Sequence, residues 1–279
     1  MTGPLIDVAT LARRLGESGT VVVDCRFSLT APEAGRQAYL AGHIPGARYA
    51  HLEEDLARAP AADEGRHPLP TPAAFARTLG QLGIGNDSDI VVYDDQSGAV
   101  AARLWWMLRW VGHSRVAVLD GGLQAWVESG GALAAGPGAG STARDYRITT
   151  PQADAVATTA EIATLDHAAW QLVDARSAAR FAGREEPIDP VAGHVPGARS
   201  WPFSDNVAAD RRLRSPRELA ANLERLGLAP QTGLIAMCGS GVTACHLLLA
   251  LAVLGRDGRL YTGSWSEWIR DPGRPVATE

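Results

Sequence analysis

Two seven-residue segments, Gly42-His43-Ile44-Pro45-Gly46-Ala47-Arg48 and Gly193-His194-Val195-Pro196-Gly197-Ala198-Arg199, are near copies of each other. Three further pairs of segments match in the same order. Val23-Asp24-Cys25-Arg26 pairs with Val173-Asp174-Ala175-Arg176, Gly80-Gln81-Leu82-Gly83-Ile84 with Glu224-Arg225-Leu226-Gly227-Leu228, and Gly121-Gly122-Leu123-Gln124-Ala125-Trp126 with Gly263-Ser264-Trp265-Ser266-Glu267-Trp268. Corresponding positions lie about 140 to 150 residues apart, far beyond a solenoid period and close to the length of one domain. A chain duplicated in this way is expected to fold as two similar domains in tandem, residues 1–135 and residues 155–279. Residues 136–154, which continue a Gly-rich run and show little apolar periodicity, read as a linker.

Within each half, short β-branched runs such as Val21 to Val23, Ile90 to Tyr93 and Val116 to Leu119 alternate with helical stretches such as Ala99 to Val111. That alternation predicts an α/β fold, each domain a mainly parallel sheet with helices on both faces, and places a site in the loops at strand C-termini. A composition of 46% apolar and 20% charged residues suits a globular protein in water. The net charge of −5 and the pI near 5.8 argue against a nucleic-acid-binding surface. No stretch is long enough to span a bilayer and no basic segment precedes an apolar one at the start, so no membrane association and a cytoplasmic location are expected. A tandem chain already forms its interface internally, which favours a monomer.

The two halves differ after one strand. In the second half, Leu234-Ile235-Ala236-Met237 runs into Cys238 and the turn Gly239-Ser240-Gly241, which opens into the helical stretch Val242 to Leu254. A strand, a Gly-rich loop with inward amides and a helix N-terminus together stabilise an anion, and are expected to lower the thiol pKa from about 8.5 toward neutrality. The competing reading is a plain buried cysteine at a strand end. In the first half the equivalent position is Asp94, read as a solvated or capping acid, so that half is expected to be structural. Cys25 follows a strand and Cys245 lies inside an apolar helix, about 10 Å along from Cys238. Three cysteines without CxxC pairs point to neither a disulfide framework nor a zinc site.

These residues closely resemble the rhodanese superfamily in its tandem-domain sulfurtransferase form, over nearly the whole chain. The loop Cys238-Gly239-Ser240-Gly241-Val242-Thr243-Ala244 is similar to the active loop of 3-mercaptopyruvate sulfurtransferases, whereas thiosulfate-preferring relatives more often carry Arg-Lys in place of Gly239-Ser240. The resemblance implies that Cys238 takes sulfur from a small-molecule donor, 3-mercaptopyruvate or alternatively thiosulfate, as a persulfide. The sulfur then passes to a thiol such as thioredoxin or to cyanide, without metal or organic cofactor. Gly239, Gly241, Val242 and Thr243 would hold the sulfur anion with their amides.

Arg180 resembles the family arginine that grips a substrate carboxylate; its competing reading is simple pairing with acids such as Glu185 or Glu186. The family's second substrate arginine has no match, since Pro187-Ile188-Asp189-Pro190 occupies the segment, and Arg184 is the substitute considered. His67, in Arg66-His67-Pro68-Leu69-Pro70, resembles the histidine that reaches across the domain interface toward the loop serine, here Ser240, with Glu53 as the candidate acid behind it. His43 and His194, present in both halves, read as structural. Trp105, Trp106 and Trp110 read as packing, and Trp265 and Trp268 as walls of the cleft.

Protein phosphatases of the same architecture need an arginine six positions after the cysteine. Here that position is Ala244, so phosphoryl transfer lacks its clamp. A persulfide carrier or interaction module without turnover is the remaining alternative, against which Cys238, Ser240, His67 and Arg180 together argue.

Overall fold

The computed structural model describes residues 3–138, 140, 142–148, 151–229 and 231–279. Four positions of the expected linker, 139, 141, 149 and 150, lie outside the described residues. The chain forms two compact units. One comprises Met1–Arg58, Pro70–Gln152 and Ala209–Leu213, and the other Ala59–Leu69, Ala153–Ala208 and Arg214–Glu279.

In the first unit, β1 (Leu5–Ile6), β2 (Thr20–Asp24), β3 (Arg48–Tyr49), β4 (Asp89–Tyr93) and β5 (Val116–Leu119) form one sheet in the order β1-β5-β4-β2-β3, with every pair parallel. The second unit repeats it. There β6 (Val156–Ala157), β7 (Trp170–Asp174), β8 (Arg199–Ser200), β9 (Gly233–Met237) and β10 (Arg259–Tyr261) follow the order β6-β10-β9-β7-β8, again all parallel. Each is an α/β unit with helices covering the sheet, as the alternating pattern predicts. The central strands, such as Leu234-Ile235-Ala236-Met237, are buried throughout because both faces are covered, which is why they read as continuous apolar runs.

In both units the strand order reverses between the two central strands, β2 and β4 in one, β7 and β9 in the other. Loops leaving the C-terminal ends there diverge and open a crevice. The helix Ala244–Val253 that follows β9 is buried nearly all round, hence its uniformly apolar sequence. Trp265 and Trp268 belong to the core under this sheet, with Ile235, Met237 and Tyr261, and send their indole N–H groups to the carbonyls of Val191 and Pro275, both at 2.9 Å. They are core residues, not cleft walls, because their rings pack beneath the strand that carries the cysteine.

The duplicated segments are structural locks. Asp24 is gripped by Arg26, which reaches on to the Gly42 carbonyl at 2.7 Å; Asp174 and Arg176 repeat the lock on Gly193 at 2.8 Å. His43 and His194 each place Nδ1 2.8 Å from a backbone oxygen, of Tyr39 and Phe181, and stack on those same rings. Among the described residues no helix is long and apolar enough to cross a membrane.

Candidate active site

Cys238 is the first residue beyond β9, at the crevice of the second unit, and its side chain is almost wholly buried. The loop backbone is pinned by its neighbours. The Cys238 amide donates to Ser264 Oγ at 3.1 Å, and the carbonyls of Cys238 and Gly239 accept from the amides of Trp265 and Ser266 at 3.0 and 2.9 Å. Gly241 turns the chain back with φ +75°, and a side chain there would collide with the Thr262 backbone 2.7 Å away. The turn aims the Gly241 amide at Cys238 Sγ, 3.1 Å distant. Thr243 stands at the N-terminal boundary of the helix beginning at Ala244, without a side-chain cap, and that helix end adds positive potential to the same place.

The equivalent loop of the first unit shows what such a backbone holds. Asp94 is fully buried, and its carboxylate accepts four amides, those of Gln96 (2.9 Å), Gly98, Val100 and Ala101 (each 2.8 Å). Asp94 is therefore a capping acid and not a solvated one. Its carbonyl accepts from Leu123 at 2.9 Å as that of Cys238 does from Trp265, so the two loops are clasped alike.

His67 belongs to the strap Ala59–Leu69 that packs within the second unit. The strap is tied to the helix Ser264–Trp268: the Arg66 amide donates to Ser266 Oγ at 3.0 Å and the Gly65 amide to Glu267 at 3.3 Å. This anchorage sets His67 Nδ1 2.8 Å from Ser240 Oγ, both buried. Glu53 lies in the other unit on the helix Leu52–Asp55, its amide on His51 Nδ1 at 3.2 Å. Of its acidic neighbours, Glu54 is held by Arg36 at 2.6 Å and Asp55 caps the His51 amide at 2.7 Å.

Arg180 makes a forked pair with Glu186, Nη2 to Oε1 at 2.7 Å and Nε to Oε1 at 3.0 Å, and reaches Asp189 Oδ2 at 3.1 Å. The pairing with Glu186 is thus real, and it also aims the guanidinium: a Cβ on Gly239 would stand 3.7 Å from Arg180 Nη2. Burial pushes the Glu186 carboxyl up, but hydrogen bonds from Arg180 and the amides of Asp189 and Ile188 outweigh it and hold the group below its ordinary value. Arg184 is 62% exposed, with the Glu279 carboxylate 4.0 Å away.

The remaining thiols differ from Cys238. Burial, then the nearby charges of Asp24, Asp94 and Asp55, push the Cys25 thiol well up, and Cys245 is buried with Sγ 3.4 Å from the Gly241 carbonyl. Among the described residues Glu33, His51 and Glu54 lie close enough to share a metal ion, but the Arg36 guanidinium already binds both carboxylates, which supplies the charge a cation would bring.

The chain matches the Rhodanese-like domain model twice, over residues 7–129 and 158–271. It is 48% identical over 282 residues to a Pseudomonas aeruginosa protein described as "Probable 3-mercaptopyruvate sulfurtransferase", covering 98% of each. It is 35% identical over 257 residues to the thiosulfate sulfurtransferase of Bos taurus, covering 90% of this chain and 85% of that protein. A crystal structure of a 3-mercaptopyruvate sulfotransferase from Escherichia coli superposes with a TM-score of 0.82 at 32% identity, covering 95% of this chain and all of that one.

Proposed function

The chain belongs to the rhodanese-like domain family, with two copies in tandem, and on that premise we propose that it is a sulfurtransferase moving sulfur from 3-mercaptopyruvate through a Cys238 persulfide to a thiol or cyanide. The observation that carries the choice of donor is the 2.8 Å contact between Ser240 and His67 beside the thiol. When the Cys238 thiolate attacks the donor sulfur, the S–C bond breaks and its electron pair goes to carbon as the enolate of pyruvate. The proton leaving the donor thiol must reach that carbon, and a hydroxyl–imidazole pair is the shuttle such a transfer requires. Sulfite leaving thiosulfate needs no proton. The products balance as enzyme persulfide and pyruvate; a second thiolate, or cyanide, then takes the outer sulfur and returns Cys238 to the thiolate.

The Gly241 amide, with those of Gly239, Val242 and Thr243, stabilises thiolate and persulfide in turn, as the matching loop stabilises Asp94. Arg180 binds the donor carboxylate, with Arg184 the second arginine of that segment and exposed to solvent. Three free thiols suit a reducing compartment, so we place the enzyme in the cytoplasm as a monomer using thioredoxin or a small thiol. The relationship to a thiosulfate sulfurtransferase supports thiosulfate as the second donor to test.

The test is kcat/KM for both donors with cyanide as common acceptor, and intact mass for one added sulfur. Wild type is expected to prefer mercaptopyruvate and to gain one sulfur, while Cys238→Ser gains none and transfers none with its fold intact. Transfer by Cys238→Ser at the wild-type rate refutes the mechanism, and a wild-type preference for thiosulfate refutes the donor.

A further inference from the structure

We infer that Glu267, with Ser266 beside it, is a positioning residue for the sulfur transfer: it holds the strap 59–69 so that His67 meets Ser240 in register with the Cys238 loop. The inference rests on the proposed role of His67 and deepens it.

Four observations carry it. First, the helix Ser264–Trp268 holds both catalytic elements at once. Its amides at Trp265 and Ser266 grip the carbonyls of Cys238 and Gly239, while its side chains at Ser266 and Glu267 grip two successive strap amides, Arg66 at 3.0 Å and Gly65 at 3.3 Å. His67 is the next residue of the strap. Second, the strap has no slack there. A Cβ on Gly65 would fall 2.4 Å from the Gly263 carbonyl oxygen and 3.1 Å from Ser266 Oγ, and Arg270 Nε holds the Glu64 carbonyl at 3.3 Å. Third, Glu267 is itself fixed from behind. Its Oε1 accepts from the hydroxyl of Thr159, which lies 2.9 Å from the Tyr261 hydroxyl, and Oε2 faces Gly65.

The fourth observation is a comparison inside the molecule. In the first unit the matching segment Gly121 to Trp126 keeps the backbone clasp, the Leu123 amide on the Asp94 carbonyl at 2.9 Å, but Gly122, Gln124 and Ala125 stand where Ser264, Ser266 and Glu267 do. Gln124 turns its Nε2 to the Asp95 carbonyl at 2.8 Å and Ala125 has no acceptor to offer. The strap packed in that unit, Ala209–Leu213, is held instead by its Leu213 amide on Asp120 at 2.8 Å. Gly122 and Ser264 share a left-handed turn, φ +58° and +52°, which glycine takes freely and serine does not. Ser264 offsets that cost with its hydroxyl, which accepts the Cys238 amide. The clasp common to both units shapes the fold, and the side chains added in the unit with the cysteine serve the chemistry. A misplacement of about 1 Å in a proton-transferring pair is enough to slow it about a hundredfold.

Persulfide formation from 3-mercaptopyruvate decides it, followed in the full chain by intact mass without acceptor, a readout that covers slow variants as well as fast ones. Glu267→Ala is expected to lower the rate constant at saturating donor about ten- to a hundredfold, with the half-saturating donor concentration within about threefold and the circular dichroism spectrum unchanged. Glu267→Gln should stay within about threefold of wild type, because its carbonyl still accepts from Gly65 and its NH2 can donate to the Thr159 hydroxyl. In a His67→Gln background, where the group being positioned is gone, Glu267→Ala should add less than about twofold. A residue that merely supported the fold or the Cys238 loop would slow both backgrounds alike. Equal losses in the two backgrounds, a wild-type rate in Glu267→Ala, or a Glu267→Gln as slow as Glu267→Ala overturns the role of Glu267 alone. If Glu267→Ala does not fold, Ser266→Ala, which cuts the neighbouring tie, carries the same comparison of backgrounds. A wild-type chain that gains sulfur from thiosulfate but none from mercaptopyruvate overturns the proposed donor, and this inference with it.

Discussion

Replacing Asp94 by Asn tests the anion-holding loop where it can be measured apart from turnover. The carboxylate accepts four amides, two on each oxygen, at 2.8 to 2.9 Å and out of reach of solvent. Asn is nearly isosteric, but its NH2 must face two of those amides in either orientation. Two buried N–H groups then lose their acceptor, at about 1–3 kcal/mol each, and the other two lose a charged acceptor for a neutral one. A cost of about 3–5 kcal/mol follows, a large part of a stability of about 5–15 kcal/mol. At about 3 °C per kcal/mol for a domain of this size, the first unit should melt about 10–15 °C lower. Urea unfolding followed by circular dichroism reads the loss, and hydrogen exchange should report faster opening at Gln96, Gly98, Val100 and Ala101. A loss under about 1 kcal/mol would refute the claim that this backbone stabilises a buried anion, and with it the argument carried over to Cys238.

Two further outcomes are expected. Gly241→Ala forces a side chain into φ +75° and against the Thr262 carbonyl, so it should cost about 1–2 kcal/mol and slow persulfide formation at least tenfold by swinging the amide off Cys238; wild-type loading by intact mass would contradict it. His113 has its pKa lowered by burial, only partly offset by backbone hydrogen bonds including that to Ser88. A group depressed in the folded state stabilises it above its unfolded pKa, so stability should begin to fall as the pH drops below about 6.5. His113→Gln should flatten that slope in unfolding curves between pH 7 and 5, and an unchanged slope would remove His113 as the cause.

Much of this was legible in the residues. The repeated Gly-His-Ile/Val-Pro-Gly-Ala segments announce two similar folds because each repeat encodes a whole lock, an Asp–Arg pair on a loop carbonyl and a histidine stacked on a ring. The Cys238 loop was legible because strand, glycine turn and helix are local signals. The ion pair between Arg66 and Asp189 was not, because the two lie 123 positions apart in sequence and meet only through the way the strap 59–69 packs. The placing of Trp265 and Trp268 beneath the sheet was likewise hidden: spacing tells that a helix has an apolar side, and not which cavity that side fills.

The near-complete burial of Cys238, 1% exposed between half-buried Gly239 and Thr243, bears on how long the thiol survives. Reagents in solution reach so buried a sulfur slowly, so its burial by itself limits damage to it. On the proposed mechanism, loading adds a sulfur about 2.05 Å farther along, which turns the outermost atom of the cysteine into cargo. On that mechanism the unloaded protein is the form with the longer shelf life, and the loaded protein is the form to be discharged.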